Sequence, residues 1–139
     1  MWQHGLKQVY IPVLKSVSKE LKKLANRFKK APMLSMTHGQ PATPTTFGKE
    51  IAVFHSRLNR KIHMLKNQSF SGKFSGATGT WSAHLAAYPD VNWPRFSSRF
   101  IKSVGLKPNL ITTQIEPHDF MVESYQSVSY THLTLPTKD

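Results

Sequence analysis

The chain has 139 residues, 39% of them hydrophobic and 19% charged, enough for a folded body of modest core and too apolar for a disordered segment. It has no cysteine, which excludes disulfides, thiolate metal sites and a cysteine nucleophile, and no run of about 18 apolar residues that could cross a membrane. The net charge of +12 is lopsided: residues 1–73 hold 14 Lys/Arg against two acids, whereas residues 74–139 hold five of each.

The first predicted element is a long amphipathic helix from about Leu6 to Lys30. Leu6, Val9, Tyr10, Val13, Leu14, Val17, Leu21, Leu24 and Phe28 recur at spacings of three and four, and most of the lysines fall off that stripe. Pro12 lacks an N–H, so it is expected to kink this helix or to start its main body.

Residues 31–46 carry Pro32, Gly39, Pro41 and Pro44 among many Thr and Ser, and read as a constrained loop. Thr45 or Thr46 is placed to cap the next helix, whose stripe is Phe47, Ile51, Phe54, Leu58, Ile62 and Leu65, ending near Asn67. A polar loop spaced by Gly72, Gly76 and Gly79 follows, then a short element through Trp81 and Leu85. Asn92 with Pro94 reads as the start of a helix that Gly105 ends. Leu110–Gln114 reads as irregular or briefly extended, and Pro117 opens a last helix through Phe120 and Met121.

The expected class is all-α. Two long amphipathic helices rarely bury their stripes on each other alone, so a larger helical bundle is expected, with residues 1–126 as part of it. Val128–Asp139 alternates like a strand, without a helical stripe. Residues 127–139 are therefore expected to be a non-native tail, of the kind a translated sequencing adapter leaves, and His132 is given no role.

Among the residues that carry chemistry, His38 stands out. It sits in Met36-Thr37-His38-Gly39-Gln40-Pro41, a proline-braced segment between long helices. Imidazole as a group titrates near neutral pH and serves as an acid or a base under cellular conditions. The bland alternative is a loop histidine bonded only to its neighbours. His55 and His63 are eight residues apart on one helix, too far for a shared metal turn, and neither HExxH nor CxxC occurs, so no metal and no cofactor are expected.

Three blocks in order change that balance: THGQPATPTTFGKE (37–50), GATGTWSAHLAAYPDVNW (76–93) and TTQIEPHDF (112–120). Together they resemble the adenylosuccinate lyase branch of the fumarase/aspartase superfamily, over about residues 5–126. THGQPATP alone would leave the branch open; AAYPD and TTQIEPHD point to this one. The stretch Thr80-Trp81-Ser82 departs from the family, whose close members carry asparagines there.

The resemblance implies a β-elimination that releases fumarate from adenylosuccinate to give AMP, and from the related succinyl-carboxamide ribotide. It implies His38 as the acid, Gln114 as a substrate-binding amide and Thr37 as a weaker hydroxyl donor. His84 and His118 also lie in the matched blocks and are read as structural. The resemblance also implies a cytoplasmic homotetramer acting on small anionic substrates, with neither nucleic acid nor membrane as partner. The family's general base is a serine on a Gly/Ser-rich loop that no serine here matches, so the chain alone is expected to be an inactive part of the enzyme.

Two other readings compete. The basic half suggests a small helical nucleic-acid-binding module, although no helix-turn-helix, aromatic RNA-binding pair or zinc finger accompanies it. Argininosuccinate lyase, fumarase or aspartase would share the helical body.

Overall fold

The computed structural model describes residues 2–133. It is mostly helical, as the periodicity requires, with six two-residue strands paired two by two. The described residues form two compact units: residues 2–67 with the last helix from Ser127 on, and residues 68–126.

The first unit opens with α1 (Trp2–Gly5), a π-helical turn at Leu6–Tyr10 and α2 (Ile11–Arg27). The π turn has a local cause. Pro12 offers no N–H, and in an α register its ring would press on the Gln8 carbonyl. The chain instead widens by one residue, so that the Ile11 N–H bonds back to the Leu6 oxygen. Pro12 thus lies in the first turn of α2, at the start of the main body of the helix.

The second long helix, α3 (Phe47–Asn67), starts and ends where its stripe predicts. Thr46 Oγ accepts from Lys49 N at 3.2 Å, satisfying one of the free donors of the first turn. The two helices run antiparallel: Phe28 meets Phe47 edge to face at 5.3 Å, and Ser18 meets His55 and Asn59 further along. Among the described residues, Leu6, Ile11, Ile62 and Leu65 are the buried aliphatic residues of this unit.

The segment between α2 and α3 is not an irregular loop. β1 (Pro32–Met33) pairs antiparallel with β4 (Thr45–Thr46), and β2 (Met36–Thr37) pairs with β3 (Gln40–Pro41). Pro32 faces Thr46 and Met33 faces Thr45, whereas Met36 faces Pro41 and Thr37 faces Gln40. The returning strand therefore holds one residue more than the outgoing one, a bulge at Ala42–Pro44. Ala42 N donates to Ser35 O at 2.8 Å and Ser35 Oγ donates to Thr43 O, which closes the ribbon across the bulge.

The second unit contains β5 (Ser71–Gly72), α4 (Ser82–Ala87), α5 (Trp93–Ser103), β6 (Lys107–Pro108) and the start of α6 (Asp119–Leu133). Asn92 caps α5 through Oδ1, which accepts from Arg95 N at 3.0 Å. At its other end Leu106 N donates to Ile101 O and Gly105 N to Lys102 O, with Gly105 at φ +79°, a Schellman closure. Phe74, Trp81, His84, Trp93, Phe96 and Phe100 form a chain of ring contacts with centroids 4.9–6.0 Å apart. The strands β5 and β6 pair parallel, with Lys107 N on Phe70 O and Asn109 N on Gly72 O.

The strand-like alternation over residues 128–133 does not produce a strand. α6 continues through Leu133, because a helix already under way gains one bond per added residue whereas an isolated strand has nothing to pair with. The rest of the expected tail lies outside the described residues.

Candidate active site

The ribbon between α2 and α3 ends in a two-residue turn whose central residues are His38 and Gly39. His38 has φ +50° and Gly39 φ +74°, so both lie in the left-handed region, as a type I′ hairpin requires. Glycine takes this conformation freely. Histidine does so at a cost of order 1–3 kcal/mol, and such residues concentrate where function holds them. The paired strands and the bulge behind them supply the constraint.

The tip presents its side chains outward. Thr37, His38, Gly39 and Gln40 are all exposed. Thr37 is the last residue of β2 and lies directly before His38, so the hydroxyl and the imidazole share one end of the hairpin. An exposed imidazole on a braced turn can reach a ligand and exchange a proton with it.

Gln114 lies in the second unit, exposed, on the segment between β6 and α6. The structure thus brings Thr37 and His38 together and places Gln114 on a separate platform. That platform is ordered by its own contacts. Asn109 Oδ1 accepts from Ile111 N at 3.3 Å, and Asn109 Nδ2 donates to Glu116 Oε1 at 3.4 Å, tying both ends of the turn to one side chain.

His84, His55 and His63 have side-chain partners within the fold, whereas the His118 side chain is exposed. His84 sits between Trp93 at 4.9 Å and Trp81 at 5.3 Å, both edge to face, with its Nδ1 buried. The His118 carbonyl accepts from Met121 N and Val122 N at the start of α6. His55 bonds Ser18, and His63 contacts Asn67 on the next turn. Among the described residues no group of three or more His, Asp or Glu is placed to hold a metal ion. No helix among them is long and apolar enough to cross a membrane.

Residue types and periodicity did not reveal the hairpin that presents His38. A His-Gly pair flanked by residues able to pair was its one local signal, and the prolines on either side obscured it.

A family model described as lyase matches residues 1–136. The chain belongs to the lyase family. Among curated relatives, the lyase chain is 47% identical over 122 residues to adenylosuccinate lyase of Buchnera aphidicola subsp. Acyrthosiphon pisum (strain APS), covering 88% of this chain and 27% of that protein. It is 45% identical over 121 residues to adenylosuccinate lyase of Haemophilus influenzae (87% of this chain, 26% of that protein). The figure for Escherichia coli (strain K12) is 43% over 122 residues, covering 88% and 27%. The chain therefore spans little more than a quarter of the length of the curated relatives it matches. Among solved structures, the lyase chain is similar to a fumarate lyase from Mesorhizobium sp. BNC1, with TM-score 0.71 and 27% identity, over 91% of this chain and 30% of that one.

Proposed function

We propose that the enzyme bearing this sequence is an adenylosuccinate lyase in which His38 is the acid and Gln114 and Thr37 bind the substrate. The observation that carries this reading is the His38 turn: an exposed imidazole held at φ +50° on a braced hairpin. The identity of 43–47% to adenylosuccinate lyases supports the choice of substrate.

The chemistry accounts for the residue types. A proton leaves the carbon beside a carboxylate, its electron pair forms the carbon–carbon double bond of fumarate, and the carbon–nitrogen bond breaks. The leaving nitrogen takes the electron pair of that bond and a proton from the imidazolium of His38. Without that proton the amine is a poor leaving group, and a positioned acid contributes about 10²–10⁴-fold. The Gln114 amide can donate to a carboxylate or phosphate oxygen and accept from a base edge without adding charge. Thr37 adds a hydroxyl donor beside the acid. The same elimination acts on the succinyl-carboxamide ribotide.

The carbon-bound proton requires a base, which in this reading a serine outside the chain supplies. The chain alone is then inactive, and the working enzyme is a cytoplasmic homotetramer. Residues 127–139 take no part in this reading.

The test is fumarate release from adenylosuccinate by the whole enzyme carrying His38→Gln. Loss of about 10²-fold or more in kcat is expected. Undiminished turnover in a folded variant would refute the role of His38.

A further inference from the structure

The segment carrying Gln114 is held from two sides within the second unit. On one side, Asn109 is tied by its backbone N–H to Gly72 O at 3.0 Å and by its side chain to Ile111 N and Glu116. On the other, the glycine loop closes on itself, Gly76 N donating to Thr80 O at 2.8 Å and Gly79 N to Gly76 O at 2.9 Å. This presses Gly79 directly onto the backbone of Thr112 and Thr113.

The approach leaves no room for a side chain. A Cβ on Gly79 would overlap the Thr112 carbonyl oxygen and lie 2.7 Å from its carbon and 3.1 Å from the Thr113 oxygen. Both neighbours are backbone, so relief requires moving the segment itself. Gly79 also has φ +80°, which only glycine adopts without cost. Gln114 is the next residue along, one peptide beyond the Thr113 carbonyl.

We infer that Gly79 and Asn109 are positioning residues for Gln114, together setting where its amide meets the substrate. The inference rests on the proposed reading that Gln114 contacts adenylosuccinate. Gly79 acts through close backbone packing, and Asn109 acts by closing the turn. Neither touches the substrate. A displacement of about 1 Å at a binding group is enough to cost up to about 10²-fold.

The test uses the whole enzyme and compares KM with kcat. Gly79→Ala is expected to raise KM for adenylosuccinate by about tenfold or more, with kcat changed much less. Asn109→Ala is expected to move KM in the same direction.

Gln114→Ala separates this inference from the reading beneath it. If Gln114→Ala raises KM and adding Gly79→Ala or Asn109→Ala raises it no further, the positioning role stands. If Gln114→Ala raises KM while folded Gly79→Ala and Asn109→Ala keep the wild-type value, or if their effects multiply with it, the positioning role is overturned. If Gln114→Ala itself changes neither constant, the substrate contact is overturned and the positioning role with it. Should Gly79→Ala not fold, Asn109→Ala decides by the same criteria.

Discussion

Ser18 on α2 and His55 on α3 are joined twice: Ser18 Oγ lies 3.0 Å from His55 Nδ1, and the same nitrogen lies 2.9 Å from the Ser18 carbonyl oxygen. The carbonyl can only accept, so Nδ1 carries the hydrogen and Nε2 is left to accept from Asn59 Nδ2 at 3.0 Å. Asn59 Oδ1 then accepts from Ser18 Oγ at 2.7 Å, closing a ring of three side chains. Ser18 is 4% exposed whereas Asn59 is exposed, so the ring runs from the contact between the two long helices out to the surface.

Ser18→Ala is expected to cost about 0.5–1.5 kcal/mol, because it removes the hydrogen bond to Asn59, whose exposed amide turns to water instead. Replacing all three residues by apolar side chains of similar size should recover most of that loss. Denaturant unfolding of the whole enzyme measures both.

The second prediction concerns Gly39. A Cβ there meets nothing within 4 Å, so a substitution acts through the backbone alone. Gly39→Val should cost about 1–2 kcal/mol in the left-handed region and shift His38. Gly39→Asn should be nearly neutral, because asparagine tolerates that conformation. Comparing kcat and thermal stability for the two variants separates turn geometry from side-chain bulk.

A third prediction uses the same tolerance at His38. His38→Asn keeps a residue suited to φ +50° while removing the imidazole. Stability should change by less than about 0.5 kcal/mol while kcat falls by about 10²-fold or more. A parallel loss of both would mean that the side chain holds the fold rather than the proton.

The cap of α5 yields a fourth. Asn92 Oδ1 accepts from Arg95 N at 3.0 Å, so Asn92→Ala should cost about 1 kcal/mol, while Asn92→Asp should keep most of the stability. Thermal unfolding reports the difference.

A fifth concerns the chain expressed by itself. Val9, Val13 and Val17 recur every fourth residue and are 63%, 56% and 47% exposed, a contiguous apolar face along the first long helix. Exposed apolar patches of this kind drive association in water. The isolated chain should therefore elute larger than a monomer in size exclusion, and Val13→Lys with Val17→Lys should shift it toward the monomer.

Much of this architecture was legible from local chemistry. The stripe from Phe47 to Leu65 located α3, and Thr46, Asn92 and Gly105 bounded helices because each satisfies or frees a backbone group within a few residues of itself. Pro12 announced a disturbance, although its form as a π turn depends on the hydrogen bonds of the preceding turn. The three blocks around His38, Ala87 and Gln114 indicated the lyase family.

The ribbon at 32–46 was not legible as such. Its strands are two residues long and interrupted by three prolines, and the bulge at Ala42–Pro44 breaks the alternation that marks a strand. What amino-acid order determined alone is what neighbours along the chain decide: helix length and caps. The fold decided the left-handed tip that presents His38, the Ser18–His55–Asn59 ring and the seat of Gly79 on Thr112. Each of these joins segments distant in sequence or balances a local cost against contacts made elsewhere, and local pattern carries no record of such a balance.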